Sequence, residues 1–294
     1  MRGGRRDLYT STVRGALTQP VPPPAATPHG RLAAYVEGAG PLVMLIHGVG
    51  YGPLTLTAVA RSAVAEGARV LVPHRAGYGA SEAAAPARDL PGQVQDLVET
   101  LDAVGAARAV WAGVSGGATI ALAAAVLRPD RVAGLVLHEP ALGTLASALH
   151  ARLRDAAAAV AAAPDAGTGA LELARALGGP GGWERVDAAT RAAIRAAGPA
   201  VRAEVALFPA FAPTAEQLGR IRGLPVVSSV GARSGPERHA AGRVLTGLAG
   251  ASPALTPSAH LVQLEAPAAF AGLAVQLAHA ACPTTPPATA EEDA

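Results

Sequence analysis

The run Gly113-Val114-Ser115-Gly116-Gly117 lies between an apolar, strand-like segment (residues 109–112) and an alanine-rich helical segment (residues 118–127). A strand that turns directly into a helix around a single serine leaves few folds open to the chain. The turn forces the serine into a strained backbone conformation, and glycines two positions before and after it let neighbouring segments approach without Cβ clashes. Ser115 is therefore expected to stand unburied at a helix N-terminus. There the N–H of Gly116 lacks an intrahelical partner and is free to meet a negative oxygen. The plainer alternative is that Ser115 only caps the helix.

The segments around this turn follow a regular order. Strand-like runs at residues 31–37 and 42–46 flank the turn signal Gly38-Ala39-Gly40-Pro41. A helix is expected over 54–66, a strand over 69–72, and a helix over 90–104 whose Val94, Leu97, Val98 and Leu101 recur at helical spacing. A further strand, 132–137, follows the serine's helix. Strict alternation from residue 42 onward predicts an α/β fold with a mostly parallel sheet covered on both faces.

The alternation stops at residue 141. Residues 141–223 are rich in alanine and arginine, with breaks at Pro164, Pro199, Pro209, Pro213 and the glycines between 178 and 182. A segment of that length is no ordinary connection and predicts an inserted helical cap. The sheet is expected to resume at 224–230, followed by a helix over 239–248, a short strand at 254–256 and a last helix over 266–281. The expected organisation is thus an extended lead-in (1–28, with Pro20, Pro22, Pro23 and Pro24), a core of 29–140 and 224–281, a cap of 141–223, and a disordered tail of 282–294.

Composition narrows the possible functions. A chain of 294 residues, 50% of them hydrophobic, can bury a full core. Its net charge is +2, and every basic residue is arginine, scattered among acids on helical segments, so solvated faces are expected rather than a nucleic-acid surface. Cys282 is the only cysteine, which excludes an intrachain disulfide and a Cys-x-x-Cys site and suits a reducing cytoplasm. Arg5-Arg6 is not followed by an apolar signal segment, and the alanine runs are interrupted by arginine, aspartate, proline or glycine, so neither export nor a membrane span is expected. Gly48, Gly50 and Gly52 do not have dinucleotide or phosphate-loop spacing, lysine is absent, and there is no His-Glu-x-x-His or similar metal cluster. The chain is expected to work without cofactor or metal.

Four stretches together resemble the α/β-hydrolase family, over about residues 30–281. His47-Gly48-Val49-Gly50 looks like its oxyanion loop, and Arg75-Ala76-Gly77-Tyr78-Gly79-Ala80-Ser81 like its Arg-x-Gly-x-Gly-x-Ser turn. Gly113 to Gly117 looks like its nucleophile elbow, and His260 followed by Glu265-x-Pro267 like its catalytic-histidine loop. The resemblance implies Ser115 as nucleophile, His260 as general base, and the N–H groups of Val49 and Gly116 as oxyanion hole. It implies a structural part for His47.

The family's acid is where this chain departs. Most members carry an aspartate shortly after the strand that ends here at Val230, and this chain has Ser234 in that slot. A serine hydroxyl can accept from an imidazole but carries no charge to stabilise an imidazolium. Some relatives, such as haloalkane dehalogenases, place a carboxylate after the strand that follows the elbow helix. That position is Glu139 here, and Glu139 is the preferred acid. Glu237 is the alternative, and a site with no charged acid is the third reading. His138, one residue earlier on the strand, should face the other way and pack. His74 receives no role. Trp183, Phe208 and Phe211 in the cap either pack among themselves or line an acyl pocket.

The resulting expectation is a serine hydrolase that acts on an ester, thioester or lactone with an apolar acyl group, through an acyl-enzyme on Ser115. Dehalogenation is not expected, because those relatives have an aspartate at the elbow. The alternatives are a non-hydrolytic enzyme on the same scaffold (cyclase, acyltransferase, lyase or cofactor-free haloperoxidase) and a catalytically silent small-molecule binder. The sequence leaves the oligomeric state open.

Overall fold

A computed structural model describes residues 27–29, 31–81 and 89–281. The lead-in before residue 27 and the tail from Cys282 lie outside the described residues.

The strands are β1 (Thr27–His29), β2 (Leu32–Glu37), β3 (Leu42–Ile46), β4 (Arg69–His74), β5 (Ala109–Val114), β6 (Val132–His138), β7 (Val226–Gly231) and β8 (Ser252–Thr256). They form one sheet in the order β1-β2-β4-β3-β5-β6-β7-β8. β2 is antiparallel to both its neighbours, and every pairing from β4 through β8 is parallel. The turn at 38–41 therefore joins strands that do not pair, because β4 lies between them. β3 is buried along nearly its whole length and occupies an interior position, whereas β2 ends in the exposed Glu37 and lies near the edge.

Alternating side chains divide the core into two layers, as the period of a strand requires. Val43, Leu45, Val70, Val72, Val110 and Ala112 pack against α1 (Thr57–Ala65) and the final helix (Pro267–Ala281). Met44, Ile46, Leu71, Trp111, Leu135 and Leu137 face α2 (Leu90–Ala103) and α3 (Gly116–Leu127). α2 begins where Asp89 accepts a hydrogen bond from the Gly92 N–H at 2.9 Å. Pro53 opens a short 3-10 turn, so the helix expected from residue 54 starts at Thr57.

Between β6 and β7 the chain runs through six α-helices: α4 (Ser147–Ala162), α5 (Ala166–Gly182), α6 (Ala188–Ala196), α7 (Gly198–Glu204), α8 (Leu207–Ala210) and α9 (Ala215–Arg220). α5 runs through Gly178 and Gly179, where the sequence suggested a break, and Gly179 there has a left-handed φ of 58°. A methyl on Gly178 would lie 2.9 Å from the Tyr51 hydroxyl oxygen and 3.0 Å from the Trp183 nitrogen, so close packing explains that glycine. α10 (Pro236–Ala249) follows β7, and α11 (Val262–Glu265) and α12 (Pro267–Ala281) complete the described chain.

Candidate active site

β5 delivers Ser115 at φ 54° and ψ −119°, outside the favoured regions for a residue with a Cβ. Backbone contacts hold it there. Its N–H donates to the His138 carbonyl at 2.9 Å, and its own carbonyl accepts from Ala141 at 3.3 Å and Thr119 at 3.1 Å. The elbow closes because two glycines lack side chains: a methyl on Gly113 would come within 2.4 Å of the Gly117 backbone, and one on Gly117 within 2.2 Å of the Ile46 carbonyl oxygen. Ser115 is half-buried.

The loop after β3 passes directly over this elbow. A methyl on Gly48 would lie 3.2 Å from Ser115 Cβ, and one on Gly116 would lie 2.9 Å from Val49 Cγ2 and 3.0 Å from Phe208 Cε2. Val49 and Gly116 are thus neighbours beside Ser115, with the Phe208 ring from α8 closing over them. Of the three aromatic residues singled out in the sequence, only Phe208 meets the elbow this way. Trp183 has the Arg191 guanidinium over its ring at 4.7 Å, and Phe211 is half-buried against the main core.

The acid side is built on the ends of β6 and β7. Parallel register pairs His138 with Ser229, so Glu139 emerges one residue past the ladder, at a positive φ of 45°. Its carboxylate is buried and fully engaged. Oε2 accepts from His260 Nδ1 at 2.7 Å and forms an ion pair with Arg238 Nε at 3.2 Å. Oε1 accepts from the Gly231 N–H at 2.9 Å and from the Ser234 hydroxyl. Ser234 therefore supports Glu139 and does not contact His260 in place of an acid. Glu237 pairs with Arg152. His138 packs as expected, edge-on to Phe270 at 6.0 Å with Nδ1 at 3.0 Å from Ser229 Oγ. The turn at Glu139, however, brings Oε1 back to 4.0 Å from His138 Nε2, a buried nitrogen without a hydrogen-bond partner among the described residues.

Burial alone would favour a neutral Glu139. The hydrogen bond from His260, with the charges of His260, His138 and Arg238, outweighs it and holds the carboxyl well below the usual range. For His260, burial and the nearby Arg238 charge lower the pKa, against the opposing pull of Glu139. A neutral imidazole beside an ionised carboxylate must give its Nδ1–H to that carboxylate, which leaves Nε2 as the free base. Burial likewise lowers His138 to about 4.

His47 serves the loop itself. Its Nε2 accepts from the Arg75 N–H at 3.3 Å, and Nδ1 lies 3.0 Å from the Gly48 carbonyl oxygen. His74 Nδ1 accepts from the Ala80 N–H at 3.0 Å, which closes the turn after β4.

Several residues that hold the site had no assigned part in the sequence. The Arg75 guanidinium is buried and gives NH1 to Glu204 Oε2 at 2.5 Å and to Gln93 at 3.0 Å, while NH2 reaches Glu204 Oε1 at 3.1 Å and the Gly48 carbonyl at 3.2 Å. Tyr78 donates its hydroxyl proton to the same Glu204. Glu204, on α7, thereby ties the inserted helices to the loop beside Val49. Tyr51 adds a second tie, donating to the Ala174 carbonyl at 2.6 Å. Glu265 fastens the His260 loop by accepting from the Ala259 N–H at 3.0 Å and from Arg233 at 2.5 Å. For Arg238 one sequence signal existed. A cation in the first turn of a helix opposes the helix dipole, and such a misfit suggests a carboxylate partner elsewhere.

A family profile described as alpha/beta hydrolase fold matches residues 41–196, more than half of the chain. Epoxide hydrolase A of Mycobacterium tuberculosis is 38% identical over 109 residues, which are 36% of this chain and 34% of that protein. The match thus spans about a third of that relative's length. A hydrolase from Pseudomonas aeruginosa PA01 has a similar structure, with a TM-score of 0.66 and 27% identity over 84% of this chain and 93% of that one. The enol-lactonase from Burkholderia xenovorans LB400 aligns with a TM-score of 0.60 and 20% identity over 86% and 99% of the two chains. With its parallel sheet, strained serine turn and matched profile, the chain belongs to the alpha/beta hydrolase fold family.

Proposed function

We propose that the chain is a serine hydrolase that cleaves an ester, thioester or lactone through an acyl-enzyme on Ser115. Ser115 Oγ attacks the carbonyl carbon as His260 Nε2 takes its proton, and the N–H groups of Val49 and Gly116 hold the resulting oxyanion. Collapse breaks the bond to the leaving oxygen or sulfur, which receives the proton from His260. A water deprotonated by His260 then attacks the acyl-enzyme and releases the acid. Glu139 holds the imidazole in the required tautomer and stabilises the imidazolium. The observation that carries this reading is the 2.7 Å contact between His260 Nδ1 and the buried, ionised Glu139. Phe208 beside Gly116 supports an apolar acyl group, and the helices of residues 141–223 act as the cap. A reducing cytoplasm suits the chain's single cysteine.

The partial likeness to an epoxide hydrolase raises a second substrate class, and the chemistry of Ser115 disfavours it. A carboxylate that opens an epoxide forms an ester, which water can cleave at the acyl carbon. A serine hydroxyl would form an ether with no acyl carbon to attack, and turnover would stop after one cycle.

The direct test is labelling with a fluorophosphonate. A single adduct on Ser115, found by peptide mass and absent from Ser115→Ala, is the expected result; no adduct at Ser115 on folded protein would overturn the reading.

The pH profile tests the base. Because burial and Arg238 lower the His260 pKa, the acid limb of kcat/KM should fall below pH 6.5, the ordinary histidine value. Activity is lost as pH drops through the folded pKa and His260 takes up a proton. Arg238→Gln removes one lowering influence, so the limb should move to higher pH. A limb above 6.5, unmoved in the variant, would contradict this assignment.

A further inference from the structure

A cavity of about 700 Å³ opens on His260, and four arginines line it: Arg152, Arg185, Arg233 and Arg238. The end of α5 also lines it, with the apolar Ala176 and Leu177 and with Gly178, Gly179 and Gly182. Paired arginines alone would mean little, since each could be neutralised by its partner. The geometry of the pairs shows otherwise. In Arg152–Glu237 and Arg233–Glu265 the guanidinium side chain is 58% exposed while the carboxylate is only 9% exposed, so both pairs turn the cation outward. Arg238 lies deeper, on Glu139. Arg185 is exposed and has no hydrogen-bond or carboxylate partner among the described residues. Glu265 is the one carboxylate among the cavity's lining residues, at 9% exposure, so four guanidinium groups outnumber it and the wall beside the base shows a net positive face.

Position assigns the ligand. In the proposed reaction His260 hands its proton to the departing atom, so a cavity that opens on His260 receives the leaving portion, while Phe208 and Val49 lie on the oxyanion side. We propose that the alcohol or thiol released from the substrate carries an anionic group, a carboxylate or a phosphate, bound by this arginine face. Planar guanidinium forks suit both anions. The inference rests on the acyl-transfer reading of Ser115 and specifies its substrate.

Two measurements test it separately from that reading. The first compares 4-acetoxybenzoate and 4-acetoxyphenyl phosphate with neutral 4-acetoxybenzamide, each kcat/KM being divided by the ester's rate with hydroxide to remove intrinsic reactivity. The anionic esters should be favoured about tenfold, a size suited to partly exposed charge pairs, and the member with the larger ratio identifies the anion. The ratio should shrink below about threefold in an Arg152→Gln, Arg185→Gln double variant and in high salt. A ratio of one or less in the unaltered protein overturns the proposal.

The second is calorimetric binding of the released phenols, 4-hydroxybenzoate, 4-hydroxyphenyl phosphate and 4-hydroxybenzamide, to Ser115→Ala. It needs no turnover. An anionic phenol that binds more tightly than the amide, and loses that advantage in the double variant, supports the arginine face; equal affinity, or no binding of either anion, overturns it. If no ester is hydrolysed but the anion still binds, the acyl-transfer reading falls and the anion site stands.

Discussion

If Glu139 is the acid of the proposed reaction, Glu139→Gln should lower kcat by about four orders of magnitude, the size associated with trapping a triad imidazole in the wrong tautomer. The three hydrogen bonds to Glu139 and its ion pair with Arg238 explain why an amide cannot substitute. Oε1 accepts from Gly231 N–H and Ser234, and Oε2 accepts from His260 and faces the Arg238 cation, so both oxygens are acceptors only. An amide has one acceptor end. If its oxygen stays with Gly231 and Ser234, the NH2 faces His260 Nδ1, which must then accept, and the proton moves to Nε2, where the proposed reaction needs a base. If its oxygen turns to His260, the NH2 meets the Gly231 N–H donor to donor. Glu237→Gln should stay within about threefold, because Glu237 faces Arg152 and contacts neither His260 nor Glu139. Steady-state kinetics on a p-nitrophenyl ester measures both. Equal losses in the two variants would remove Glu139 from the reaction.

Glu204→Ala should destabilise the fold by about 3–5 kcal/mol, since it leaves the buried Arg75 guanidinium without its carboxylate. Against a typical total of about 5–15 kcal/mol, that is a large fraction. The loss arises from burying a lone cation, so removing the cation as well should recover part of it. Arg75→Met with Glu204→Leu is expected to be more stable than Glu204→Ala alone. Urea unfolding followed by circular dichroism separates them. The same network grips the Gly48 carbonyl through Arg75, so Glu204→Ala should also loosen the loop that carries Val49. An unfolding midpoint within error of the unaltered protein would show that water reaches this pair.

Local pattern carried much of this protein. The alternation of apolar runs and helical spacing from residue 42 onward specifies a parallel, doubly covered sheet, because each element's period follows from its own backbone geometry. The elbow was legible for the same reason: only a tight strand-to-helix turn asks for glycines at 113 and 117, and their absent side chains let Ile46 and the start of α3 approach. The resemblance to relatives with a carboxylate after the strand that follows the elbow helix, together with its place at the strand's end, put Glu139 forward without any knowledge of its partners. In α5 the glycines have different reasons: Gly178 packs against Tyr51 and Trp183, and Gly179 takes a left-handed φ of 58°.

What only the tertiary structure decided are the meetings between distant segments. The placement of β4 between β2 and β3, the convergence of Gly231, Ser234, Arg238 and His260 on one carboxylate, and the pairing of Arg75 with Glu204 across 129 positions leave almost no periodic mark in the chain. A buried ion pair is one charge at each of two places, and each alone looks like a solvated surface residue. Desolvation makes such a pair necessary, and desolvation exists only once the sheet and its helices have closed over both partners.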